Sequence, residues 1–236
     1  MKKLAFTLMM FVAFFALAQE DFGTLIFHDD FERSESQEIK DEPGNEWTTS
    51  SDKTAKGHKQ VDLREGYLHI YTHAEANHAT SVRHAFAFKD GAIGLKIRFE
   101  NEKDSIKLNF TDLAEKSVHA GHLFNVSISP SNVSLSDLKT GVMNQKLRAA
   151  RGNQTLSKEQ KIELSKKNKN FAHKIELNQW HQAYAAVKGD KVSCYINGQL
   201  VGSFSSPGFA HETKTLIRLL VPGKVDVDEV KIWKKH

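Results

Sequence analysis

Lys188-Gly189-Asp190-Lys191-Val192-Ser193-Cys194-Tyr195-Ile196-Asn197-Gly198-Gln199-Leu200-Val201-Gly202-Ser203-Phe204 is the stretch that decides the fold. Val192, Cys194 and Ile196 alternate with Ser193 and Tyr195, so one side of an extended segment is apolar. That period of two marks a half-buried strand. Asn197-Gly198 accepts the positive φ values of a tight hairpin turn, and Gly189-Asp190 punctuates the other end. Two antiparallel strands are predicted, over 191–196 and 199–204.

Outward from this hairpin, short alternating runs separated by Gly, Asn, Asp and Pro recur from Leu25 to Trp233. Further strands are predicted over 67–72, 92–99, 105–110, 123–129, 182–187, 216–221 and 227–233. With helical periodicity nearly absent, that number of strands fits an all-β chain of two packed antiparallel sheets. The exception is a basic insert, 139–170, with nine Lys or Arg and two Glu, a local excess of +7 (9 − 2). Within it Ser157-Lys158-Glu159-Gln160 has the spacing of a capping box and predicts a short helix over 157–169. The plain expectation for so charged a helix is a solvated face; the sharper one is a cationic flap over a binding face.

Lys2 and Lys3, the apolar run from Leu4 to Leu17 broken by Thr7, and Ala16-Leu17-Ala18 together have the form of a cleavable signal peptide, 1–18. The expected product is one exported domain, 19–236, periplasmic or extracellular. The run is shorter than the ~20 apolar residues of a membrane span, and no later stretch reaches that length. Cys194 is the sole cysteine, so no intrachain disulfide holds the domain and a hydrophobic core must. Lys and Arg number 33 against 29 Asp and Glu; without Lys2 and Lys3 the balance is +2 (31 − 29). Nucleic acid is excluded as an expected partner, because a binder needs a strong basic footprint.

Four pieces carry a family likeness: Asp29-Asp30-Phe31-Glu32-Arg33, Gln179-Trp180-His181 ahead of a strand, Tyr195-Ile196-Asn197-Gly198, and Asp228-Glu229-Val230-Lys231-Ile232-Trp233. The chain resembles the concanavalin A-like (laminin G and laminarinase-like) jelly-roll superfamily, most of all the exported bacterial 3-keto-disaccharide hydrolases. That resemblance implies a β-sandwich whose first and last strands lie side by side and whose concave face takes a saccharide. With the basic insert it makes an anionic or sulfated glycan the sharper expectation for the partner.

Laminarinase-like enzymes carry paired carboxylates on one strand, and no such run occurs here. Ordinary retaining hydrolysis, which needs two carboxyls ~5 Å apart, is disfavoured. The nearest acids, Asp226-Val227-Asp228-Glu229, are expected to be solvated or to bind backbone and ions. Histidine is the unusual component, with 12 in the chain. Tyr67, His69, Tyr71 and His73 share a parity, so a Tyr/His ladder suited to stacking on a sugar competes with an ordinary exposed strand face. A second group is Arg83, His84, Asp112, His119, His122, His211 and Lys214. His119 and His122, three apart around Gly121, are expected at a functional rim and not in the core. Their spacing suits two ligands of a divalent metal, but a catalytic site needs a third. No other cofactor is indicated.

The resemblance implies that a proton beside a ketone is acidified, so His119, His122 or His84 would act as base in elimination or hydrolysis, with Arg83 and Lys214 stabilising an enolate. Cys194 is expected to be a buried, inert thiol. Three functions stay open: an enzyme on 3-keto-glycosides, a non-catalytic carbohydrate-binding or surface module, and a purely structural exported domain.

Overall fold

A computed structural model describes residues 21–235; the signal peptide expected over 1–18 and the mature start expected at Gln19 lie outside the described residues. The strands are β1 Thr24–Asp29, β2 Val61–Arg64, β3 Tyr67–Tyr71, β4 Thr80–Phe88, β5 Gly91–Arg98, β6 Ile106–Thr111, β7 His122–Ser129, β8 Asn132–Asp137, β9 Asn168–Ala172, β10 His181–Lys188, β11 Lys191–Ile196, β12 Gln199–Ser205, β13 Lys214–Val221 and β14 Lys224–Lys234. Three short helices join them, α1 Ser51–Thr54, α2 Gln145–Gly152 and α3 Lys158–Ser165.

The β11–β12 hairpin closes through Asn197 at φ 50° and Gly198 at φ 78°, the pair of positive values its sequence predicts. Around it grows a sheet in the order β12-β11-β10-β5-β14-β3-β2. β14 is long enough to serve two partners along one edge: Lys224 to Val227 face β3, and Val230 to Lys234 face β1. The first and last strands are thus neighbours, with a bulge between Asp228 and Lys231 where Glu229 sits at φ 50°. The second sheet has the order β4-β13-β6-β7-β8-β9. All of these pairings are antiparallel, and the two sheets make a jelly-roll β-sandwich.

Alternation decides what each strand puts inside. Ile93, Leu95 and Ile97 of β5 meet Leu108 and Phe110 of β6, Phe124 and Val126 of β7, and Ile217 and Leu219 of β13 in one continuous apolar core. Cys194 is buried among them, and burial pushes its thiol up to about 12, so it is inert at neutral pH.

The basic insert joins β8 to β9, which are adjacent strands. The Ser157 capping box forms as predicted, but the helix ends at Ser165 and not near 169, because Asn168 to Ala172 are taken by the edge strand β9. A further helix, α2, is capped by the Asn144 side chain, which accepts from Lys146 and Leu147 N–H. The start of the insert is pinned to the loop before β7: His119 N–H donates to Met143 O at 2.8 Å and Gln145 N–H to Ser117 O at 2.9 Å.

Candidate functional site

Every side chain that β6, β7 and β13 do not send inward stands on the outer face of the six-stranded sheet. The register places Arg83 of β4 opposite Arg218 of β13, Arg218 opposite Asn109 of β6, and Asn109 opposite Asn125 of β7. Asn125 in turn faces Ser136 of β8, and Ser136 faces Asn168 of β9. One polar row therefore crosses all six strands and contains no carboxylate.

At the centre of this row Asn109, 0% exposed, is held by three partners. Its amide nitrogen donates to Asn125 Oδ1 at 2.6 Å and to Phe124 O at 3.3 Å, while its Oδ1 lies 2.7 Å from His122 Nδ1. An amide whose nitrogen is committed twice presents only an acceptor to the histidine, so His122 Nδ1 donates. The ring is fixed as the Nδ1–H tautomer, with its lone pair at Nε2, 3.2 Å from Arg218 Nη1. Burial, then the charges of Arg218, His119 and Arg83, push His122 down to about 4. It is neutral at physiological pH, with the Nε2 lone pair on the outer face turned to Arg218.

His119 lies in a tight turn beside it, with ring centroids 6.3 Å apart. The turn exists because Ala120 and Gly121 take φ 51° and 72°; at Gly121 a Cβ would stand 2.4 Å from Asp112 O. Both histidines stand outside the core, where the buried side of β7 begins with Leu123 and Phe124.

The other candidates do not join them. His84 shares the parity of Val82 and is buried, its ring stacked 3.7 Å from Phe27 and 5.1 Å from Trp47. It belongs to the core side of β4, behind the sheet that carries Arg83. Lys214 is fully buried, and its ammonium is spent on Lys89 O at 2.5 Å and His211 O at 2.8 Å. Burial lowers it to about 8. With its donors turned to backbone it does not reach an enolate on the outer face. His211 takes a proton bond from Lys139 Nζ at Nδ1, 2.7 Å, and lies 3.0 Å from Asp112 Oδ2 through Nε2. This rim knot ties the insert to the 112–118 loop, since Lys139 also pairs with Glu115 at 3.3 Å.

The opposite sheet carries the Tyr/His ladder on its own outer face. Leu68 and Ile70 point into the core and Tyr67, His69 and Tyr71 point out; His73 lies beyond the strand, its ring stacked 4.2 Å from His58. Here Asp226 departs from expectation, whereas Asp228 accepts from backbone, Glu229 N–H, at 2.6 Å. Asp226 is not solvated: register puts it between His69 and Arg98, it is 3% exposed, and it lies 2.6 Å from His69 Nδ1 and 2.7 Å from Arg98 Nη2. Burial acts to raise this carboxyl, and the hydrogen bonds from His69 and Arg98 outweigh it, leaving it lowered. Arg98 is itself sandwiched 4.8 Å from the Tyr67 ring and 4.6 Å from that of Trp180. Each charge of this network has an opposite partner, which makes it a structural element.

A metal does not fit the His119–His122 pair. Arg218 already occupies the nitrogen side of His122, and the groupings of metal-ligating side chains among the described residues are His69-Glu100-Asp226 and Glu35-Glu38-Asp62, neither of which includes either histidine. Both groupings already hold cations, the first Arg98 and Lys224, the second Lys59, which touches all three of its carboxylates. A hollow of about 400 Å³ beside Phe22, Tyr195 and Leu200 also lies on the eight-stranded sheet, away from the polar row.

No family model and no curated protein sequence matches the chain. Solved structures do. A Bacillus licheniformis β-glucanase superposes at a TM-score of 0.60 with 9% identity, covering 90% of this chain and 99% of its own. A laminarinase from Flavobacterium sp. UMI-01 gives 0.56 at 12% identity, covering 89% and 100%. The carbohydrate-binding module CBM66 from Bacillus subtilis gives 0.51 at 11% identity, covering 78% and 93%. At such identities the likeness extends to the fold alone, a jelly-roll β-sandwich of two antiparallel sheets.

Proposed function

We propose that the chain is an exported saccharide-handling protein that takes a sugar chain along the outer row of the six-stranded sheet. The observation that carries this is the unbroken register Arg83, Arg218, Asn109, Asn125, Ser136, Asn168. At ~4.8 Å between strands the row is ~24 Å long, room for several sugar units. Guanidinium, amide and hydroxyl groups supply the donors and acceptors that sugar hydroxyls need. The basic insert, pinned to the His119 turn, borders the same surface. The β-glucanase, laminarinase and carbohydrate-binding module that have a similar fold support the reading. Calorimetric titration of the 19–236 chain with an oligosaccharide panel tests it. Asn125→Ala should bind at least ~10-fold more weakly, the worth of one or two hydrogen bonds at ~1 kcal/mol each. An empty panel, or an unchanged variant, would refute it.

One observation favours turnover over simple binding: the neutral His122, with Nε2 unprotonated on the row. On a 3-keto-glycoside, the substrate class that the family resemblance implies, such a group can take the proton beside the ketone, with Arg218 next to it for the developing oxyanion. Product formation from 3-keto-glycosides that falls ~100-fold or more in His122→Gln, with melting unchanged near pH 7, is the expected result. Equal turnover in both proteins would leave binding as the function.

A further inference from the structure

Resting on that saccharide reading, we infer that the Arg83 end of the row selects a carboxylated sugar, a uronate whose carboxylate lies across Arg83 and Arg218.

Arg33, Arg64 and Arg98 each hold an aspartate. Arg83 and Arg218, although part-buried and opposite each other on neighbouring strands, hold none among the described residues. Arg148 and Arg151 also lack an acid, but they stand exposed on α2, where water solvates them. Like charges directly opposite in a sheet repel, and a guanidinium cannot escape by losing its proton near neutral pH. The arrangement is costly in the free protein and is relieved by an anion.

The donors left open define which anion. Arg83 uses Nε–H on Ser81 Oγ at 2.9 Å, and its two terminal nitrogens have no acceptor among the described residues. Arg218 gives one N–H of Nη2 to Ala120 O at 3.0 Å and one of Nη1 to His122 Nε2 at 3.2 Å, which leaves one N–H on each, while its Nε–H is buried and out of a ligand's reach. A planar two-oxygen acceptor matches a guanidinium fork, and two forks one strand spacing apart, ~4.8 Å, can share one carboxylate. Neutral sugar hydroxyls fill the donors but leave both charges uncancelled. The remaining row, Asn109, Asn125, Ser136 and Asn168, is uncharged and suits the hydroxyls of the adjoining units.

The test titrates the 19–236 chain with tri-uronates (galacturonate, glucuronate and mannuronate), their methyl esters, and sulfated neutral trisaccharides. At least one free acid should bind ~30-fold or more tightly than its ester. In Arg83→Gln and in Arg218→Gln the acid should lose its advantage and bind no more tightly than the ester binds to the same variant. Both variants should melt at or above the wild-type temperature, since a repulsive neighbour has been removed. Acid and ester held equally, a preference that survives both substitutions, a sulfated sugar held as tightly through the same arginines, or variants melting well below wild type would each overturn the assignment while leaving the saccharide reading intact. Failure of every sugar to bind would overturn both.

Discussion

Acidification should weaken this fold at one identifiable place, His122. Its imidazole ordinarily titrates at 6.5 and is pushed to about 4 in the folded chain. Between those values the unfolded chain carries the proton and the folded chain does not, so stability rises with pH through the window and is lost as pH falls through it. At ~1.36 kcal/mol per pH unit the ceiling is ~3 kcal/mol. The ring is only part-buried, and solvent screening reduces the expected loss to about 1–2 kcal/mol. His122→Gln provides the reference, because a glutamine amide can still donate to Asn109 Oδ1 and never titrates. Urea unfolding of both proteins from about pH 7.5 to about pH 4 reads the effect. Wild type should lose about 1–2 kcal/mol more than the variant over that range, and the imidazole resonance should show a midpoint near 4. Parallel stability curves, or a midpoint near 6.5, would refute the burial and charge argument and with it the neutral base on the outer face.

Asp226→Asn should cost about 2 kcal/mol in urea unfolding, because it leaves the part-buried Arg98 guanidinium and the buried His69 without their anion, yet sugar affinity on the opposite sheet should be unchanged. A variant as stable as wild type would show the network to be idle. Replacing Lys158, Lys161, Lys166 and Lys167 with Gln should reduce retention on polyuronate gels at low salt and leave melting unchanged, since α3 buries no residue. Equal retention before and after would make the insert a solvated helix only. Protein exported by its own leader should begin at Gln19, read by intact mass; retained Lys2 and Lys3 would defeat that expectation.

Local chemistry determined much of this molecule from the sequence alone. Asn197-Gly198 fixes its hairpin and Ser157 with Gln160 fixes the start of α3, because each is a contact between residues a few positions apart. Alternation likewise told which side chains of β11 turn inward, and the family likeness anticipated β1 beside β14. Strands β4 and β8 escaped notice because in β4 a histidine, His84, takes a core position beside Val82, and β8 offers only Val133 and Leu135 as apolar residues between polar ones. Only the tertiary structure decided the site. Parity says which face a residue takes but not which strand lies next to it, and Arg83, Asn109 and Arg218 become neighbours through pairings between segments up to 135 positions apart (218 − 83). The available signal was Asn109, a lone amide between Leu108 and Phe110. The same reason separates His84 from Arg83 and draws Asp226 under Arg98: one step along a strand exchanges core for surface, and the cross-strand partner sets whether a charge there is cancelled or left open.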